Sequence, residues 1–233
     1  ANSGRVELEG HRSFKWVGTA WRVEEDVFVT NRHVAELFAE ARRGRCRHLA
    51  GVQAKIDLIE ELGSEEEVER FVSAILHIED HSRGSIDMAV VRVDSRAVKG
   101  MKDPIALDVS GRTPEFIGVV GYPARDSWNP QDAMNRIFQG NFDVKRLAPG
   151  RVMDMGYADR VFTHNCTTLG GNSGSVVFDV ETGHAVGLHF AGSAERQNYA
   201  AKARAVADVL TRKSVGFLSD HRRTGGGAEE RRS

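Results

Sequence analysis

The chain has 233 residues, of which 40% are hydrophobic, and 32 basic against 33 acidic side chains give a formal net charge of −1. That hydrophobic share supports a packed core. The near-neutral charge offers no basic field for nucleic acid, and there is no run of about 18 apolar residues to make a membrane span.

Two cysteines, Cys46 and Cys166, are too few for a disulfide scaffold. Free thiols suit a reducing, cytoplasmic compartment. The first residue is not Met and no signal-like apolar stretch follows. A removed leader or a longer parent chain with further domains is therefore expected.

Residues 1–13 are polar and read as a loose arm with one strand around Arg5-Val6-Glu7-Leu8. Phe14 to Val23 alternates as a strand, Glu24-Glu25-Asp26 turns it, and Val27-Phe28-Val29-Thr30 returns toward His33. Glu36 to Arg47 reads as a charged surface helix. Gln53 to Ile59 and Arg70 to Ile78 read as strands around an acidic loop, Glu60 to Glu69. His77 and His81 stand four apart, a metal-ligand spacing on a helix, but the flanking pattern is strand-like, so no metal site is expected. Arg83-Gly84-Ser85 turns into an apolar strand headed by Asp87.

Val98 to Asp103 reads as a crossover. Phe116 to Pro123 opens a second half with a strand and a Gly-Tyr-Pro turn. Arg125 to Gln139 reads as a long polar loop, Asn141 to Arg146 as a strand, Pro149-Gly150 as a turn, and Val161 to His164 as a strand. Behind Ser173, Ser175 to Asp179 and Ala185 to Ser193 are strands around the turn Glu181-Thr182-Gly183. Ala203 to Leu210 reads as a closing helix, and 219–233 as a disordered tail or linker.

Three positions carry chemistry. In Gly171-Asn172-Ser173-Gly174-Ser175 a serine stands between glycines, which tolerate positive φ and close backbone approach. Such a turn presents the hydroxyl while the N–H groups of Gly171 and Ser173 point into one small space, as needed to attack a carbonyl and hold its oxyanion. His33, at the end of a strand, supplies a base. Asp87, a charge at a strand head, needs a partner, and a histidine N–H is one. The order His, Asp, Ser is one of the few recurring triad arrangements. His164 beside Cys166 also raises a thiol pair, which nothing else in the sequence supports.

Thr30-Asn31-Arg32-His33-Val34, Asp87-Met88-Ala89-Val90 and Gly171 to Ser175 together resemble the three signature blocks of trypsin-like, chymotrypsin-fold serine peptidases, over about Val17 to Leu210. The likeness is closest to the bacterial glutamyl-endopeptidase branch. It implies an all-β protein of two antiparallel, six-stranded-type β-barrels with a short C-terminal helix. The first half, 1–98, carries His33 and Asp87, and the second, 99–218, carries Ser173. It further implies a Ser173–His33–Asp87 triad, an oxyanion hole of Gly171 and Ser173, and a protein or peptide substrate laid along Phe190, Ala191 and Gly192. No cofactor, nucleic acid or membrane enters.

Two departures stand out. Asn172 occupies the place of the aspartate that activated trypsin-like zymogens pair with a freed N-terminus, so activation of that kind is not expected. Thr167 replaces the acid at the base of the trypsin pocket. Thr168 and His189 instead match the residues that bind acidic side chains in glutamyl endopeptidases, which points to an acidic P1 residue. The rival readings are a non-catalytic, protease-like peptide-binding module, and an esterase using the same groups.

Overall fold

The computed structural model describes residues 2–42, 44–94, 101–127, 129–192 and 197–212. The expected tail at 219–233 and residues 98–100 of the expected crossover lie outside them.

Six strands close the first barrel in the order β1-β2-β3-β8-β7-β6. They are β1 (Ser3–Glu9), β2 (Trp16–Arg22), β3 (Val27–Thr30), β6 (Gln53–Asp57), β7 (Glu69–Ile78) and β8 (Ala89–Val93). The inward set Val6, Ala20, Phe28, Ile56, Val72 and Val91 is buried at one packed centre. The strand expected around Arg5 to Leu8 runs from Ser3 to Glu9 and is a barrel stave, not part of a loose arm, because Val6 and Leu8 alternate into that centre and β1 pairs with both β2 and β6.

The charged stretch read as helix is instead a hairpin, β4 (Ala39–Arg42) and β5 (Arg45–His48). Its sequence has good helix formers but no apolar stripe to bury. Gly44 turns it at φ 75°, and Leu49 N–H closes its base on Phe38 O at 2.8 Å.

The second half is a nearly closed barrel of seven strands in the order β10-β9-β13-β14-β15-β12-β11. These are β9 (Ile117–Gly121), β10 (Arg146–Gly150), β11 (Val152–Asp154), β12 (Val161–His164), β13 (Val176–Asp179), β14 (Ala185–Gly192) and β15 (Asn198–Lys202). Sequence reading missed β11 and β15, both short.

The strand expected at 141–146 begins only at Arg146. Asp143 takes φ 63°, which breaks an extended run, and Phe142 stacks on Phe138 at 5.4 Å. Pro149 lies in edge strand β10, where its missing N–H costs no ladder bond. Inside the expected polar loop sits a helix, α2 (Gln131–Phe138), which buries Met134 and Phe138 one turn apart and ends on Gln139 at φ 52°.

The two barrels share a core. Trp21, Val29 and Met88 from the first meet Val176 and Leu188 from the second. Helix α3 (Ala203–Arg212) seals it with Val206, Val209 and Leu210.

Candidate active site

Strands β3 and β8 run antiparallel with Thr30 opposite Ala89. Their ends therefore deliver residues 54 apart in sequence to one spot. After Asn31, in extended backbone, the four-residue α1 (Arg32–Ala35) buries Val34 and Ala35 and leaves His33 on its outer side. Asp87 is held by buried Ile86 and Met88 on either side, and Asn31 Nδ2 donates to its carbonyl at 2.9 Å.

Both oxygens of Asp87 then serve His33. Its Oδ2 lies 2.5 Å from the ring Nδ1, and its Oδ1 accepts the His33 backbone N–H at 3.1 Å. Burial alone would raise the Asp87 carboxyl, but the hydrogen bond and charge of His33, with Arg32 nearby, outweigh it and lower it. Asp87 is thus a carboxylate at neutral pH and faces Nδ1.

Ser173 comes from the loop between β12 and β13. Gly171 and Gly174 adopt φ 85° and 86°, conformations that a side chain would strain. A Cβ on Gly171 would also strike Tyr122 O and the Trp16 ring. Gly18 marks the meeting of the halves: its absent Cβ would lie 2.8 Å from Val34 and 2.9 Å from Ser173 O. Ser173 is thus brought beside α1.

Among the described residues no hydrogen bond joins the Ser173 hydroxyl to the His33 ring. Such contacts commonly tighten only with substrate bound. The N–H groups of Asn172, Gly174 and Ser175 all have backbone acceptors. Those of Gly171 and Ser173 have none among the described residues, so both are free to bind an anion.

Ser173 borders a cleft of about 870 Å³. Thr167, Thr168, His189 and Asn198 line it, as do Pro130, Ala133 and Ile137 of the α2 segment. Sequence reading missed Asn198, which accepts from Thr168 Oγ1 at 2.9 Å and donates to Cys166 O at 2.6 Å. It also missed α2 as a wall, although Ala133, Met134, Ile137 and Phe138 show helical spacing.

His189 is buried, with Nδ1 3.2 Å from His164 Nε2. Burial drives it well below its ordinary value and lowers His164 to about 4. Both rings are therefore neutral at pH 7. Phe190, Ala191 and Gly192 continue β14 past its pairing with β13, which ends around Leu188. β15 covers only their other side.

The remaining candidates part company. His77 faces Glu79 and His81 faces Glu36, so these two histidines do not converge. Cys166 is buried and its thiol is pushed up to about 12, far from a thiolate. Cys46 and Cys166 are both free thiols. Among the described residues one carboxylate group, Glu7, Asp57 and Glu60, gathers oxygens within 4.8 Å. Arg5 and Lys55 pair with members of that group.

Two facing barrels with these residues at their junction define the chymotrypsin-like fold. Residues 18–188 match the trypsin-like peptidase domain family, and the chain belongs to it. It is 28% identical over 243 residues to a probable serine protease of Lysobacter enzymogenes, covering 89% of this chain and 61% of that protein. The chain therefore spans less than two thirds of that relative.

Among solved structures, the serine endoprotease from Yersinia pestis aligns with a TM-score of 0.62 at 12% identity, over 92% of this chain and 63% of that one. The active form of the Rv3671c protease from M. tuberculosis aligns with a TM-score of 0.55 at 18% identity, over 90% and 79%. At such identities the agreement is one of fold.

Proposed function

We propose that this chain is a serine endopeptidase acting on protein or peptide substrates through Ser173, His33 and Asp87. The observation that carries the reading is the pairing of Asp87 with both the ring and the backbone of His33, across the barrel junction from the Gly171 and Ser173 N–H groups, which have no acceptor among the described residues.

Ser173 Oγ attacks the scissile carbonyl as His33 Nε2 takes its proton. Asp87 holds the proton on Nδ1 and stabilises the imidazolium. The carbonyl oxygen becomes an oxyanion between Gly171 N–H and Ser173 N–H, each such donor contributing about 3–4 kcal/mol. His33 then protonates the leaving amine. Water, deprotonated by the same ring, hydrolyses the acyl-enzyme. The edge at Phe190, Ala191 and Gly192, unpaired on that side among the described residues, suits an extended peptide adding as a further strand.

An acidic P1 residue fits the cleft, in keeping with the glutamyl-endopeptidase-like branch. Thr168, Asn198 and His189 converge beside Ser173. The buried His164 Nδ1 has no partner among the described residues. A lone acceptor is easier to leave unpaired than a lone donor. That places the His164 proton on Nε2, donated to His189 Nδ1, and leaves His189 Nε2–H as donor toward a carboxylate. The imidazole thus acts as a neutral donor rather than as a cation. Asp126 lines the cleft too, but Asn129 engages both its oxygens at 2.9 and 2.8 Å.

A fluorophosphonate probe tests the chemistry. Labelling of Ser173 that vanishes in Ser173→Ala supports the enzyme, and an unlabelled folded protein makes it a peptide-binding module. Cleavage of a peptide library then reads specificity. Glu or Asp at P1 supports the acidic pocket, and cleavage after Arg or Lys would assign the cleft to Asp126 instead.

A further inference from the structure

The loop that carries the two free N–H groups is rich in glycine, and nothing in its own sequence stops its peptide planes from rotating. Yet each carbonyl from residue 170 to 173 is engaged. Gly170 O accepts from Ala124 N–H at 2.7 Å and Asn172 O from Ser175 N–H at 3.0 Å. In a trans peptide the C=O and the following N–H point opposite ways. These two bonds therefore turn Gly171 N–H and Ser173 N–H toward the substrate side.

The two intervening carbonyls are held by one residue of the other barrel, Thr19 on β2. Its hydroxyl donates to Gly171 O at 2.9 Å, and its backbone N–H donates to Ser173 O at 2.8 Å. Thr19 is itself fully buried, and its own carbonyl accepts from Thr30 Oγ1 at 2.7 Å. A Cβ on Gly174 would collide with that carbonyl, so the loop reaches Thr19 only through a glycine.

We propose that Thr19 is a positioning residue for the oxyanion hole, fixing alternate peptide planes of the loop so that the planes bearing Gly171 N–H and Ser173 N–H cannot swing. Neighbouring planes share a Cα. With the neighbouring planes pinned by Thr19, the shared Cα atoms stay in place, and a donor can leave only by a flip of its own plane that breaks Gly170 O from Ala124 N–H or Asn172 O from Ser175 N–H. The first barrel thus supplies, besides the base, the brace that keeps the second barrel's anion site in shape. This role rests on the reading of Ser173 as nucleophile, which wild-type labelling by the fluorophosphonate tests separately.

Thr19→Val keeps the volume and the backbone N–H and removes only the hydroxyl. With a fluorogenic peptide, kcat is expected to fall about tenfold while KM stays within about twofold, a smaller effect than deleting a donor outright. A peptide aldehyde, whose adduct places an oxyanion in the hole, is expected to bind weaker by a similar factor, and a product peptide as it does to wild type. Thr19→Ser is expected to restore both. Should Thr19→Val not fold, Thr19→Ser and Thr19→Ala, which differ only in the hydroxyl, carry the same comparison. If wild type turns over and removing the hydroxyl leaves kcat unchanged, or weakens product and aldehyde alike, Thr19 is not a brace for the hole. If wild type is neither labelled nor active, the catalytic reading itself fails.

Discussion

Replacing Asp87 by Asn changes one oxygen to an NH₂ group and leaves the shape intact. In the native protein both carboxylate oxygens accept, one from the His33 backbone at 3.1 Å and one from the ring Nδ1 at 2.5 Å. An amide accepts through only one of its two ends. If its oxygen keeps the backbone N–H, its NH₂ group faces Nδ1 and forces that nitrogen to accept. The ring proton then moves to Nε2, the atom that must receive the proton of Ser173. The negative charge that steadies the imidazolium is lost as well. The expected fall in kcat is about 10⁴, or roughly 5.4 kcal/mol at 1.36 per decade. Steady-state hydrolysis of a fluorogenic peptide measures it, with circular dichroism to show that the fold persists. A folded Asp87→Asn protein with kcat within about tenfold of wild type would remove Asp87 from the mechanism.

Ser173→Ala and His33→Ala should each lower kcat by about 10⁶, and the double variant little further, because the two act as one unit; multiplying losses would refute this. Thermal melts should lose stability as pH falls from 6.5 toward 4. His164 is lowered to about 4 in the fold, so in that window the unfolded chain holds the extra proton. The stability is complete above about 6.5, the contribution is on the order of 3 kcal/mol, and buried His189 acts in the same direction. His164→Leu should flatten the slope, and an unchanged slope would contradict the burial argument. Gly121→Ala should destabilise by about 1–3 kcal/mol, since its Cβ would strike Ser175 Oγ and Asn172 Oδ1; a denaturant midpoint equal to wild type would refute it. His189→Phe should erode any preference for acidic P1 residues more than it lowers turnover of neutral ones; equal losses would place His189 in the core alone.

The staves of both barrels were legible where apolar residues alternate, as in Gln53–Asp57, or form a short β-branched run beside glycine, as in Ile117–Gly121. The proposed chemistry is read from His33, Asp87 and Ser173, and the fold brings His33 and Asp87 into contact and Ser173 beside α1. What escaped was decided by contacts distant in sequence. The stretch Ala39–His48 has helical propensities, but pairing as a hairpin lets Ala39 face the core while Arg42, Arg45 and Arg47 reach water. Asn198 looks like any polar loop residue until β15 sets it against Thr168. α2 carried a readable spacing, hidden by the polar and Pro-containing residues before it. Thr19 had no signal at all, for a threonine in a strand is ordinary and its partners lie some 150 positions away.

The way β2 grips the serine loop bears on when the molecule could first cut. A ribosome would release the portion with the imidazole and carboxylate early and the hydroxyl late, and neither portion alone owns a finished centre. A nascent or half-folded chain would therefore be harmless to its surroundings. On the proposed triad, two fragments divided between Val93 and Ile117 and mixed would gain hydrolysis only as they associate, so that completed folding would be the switch.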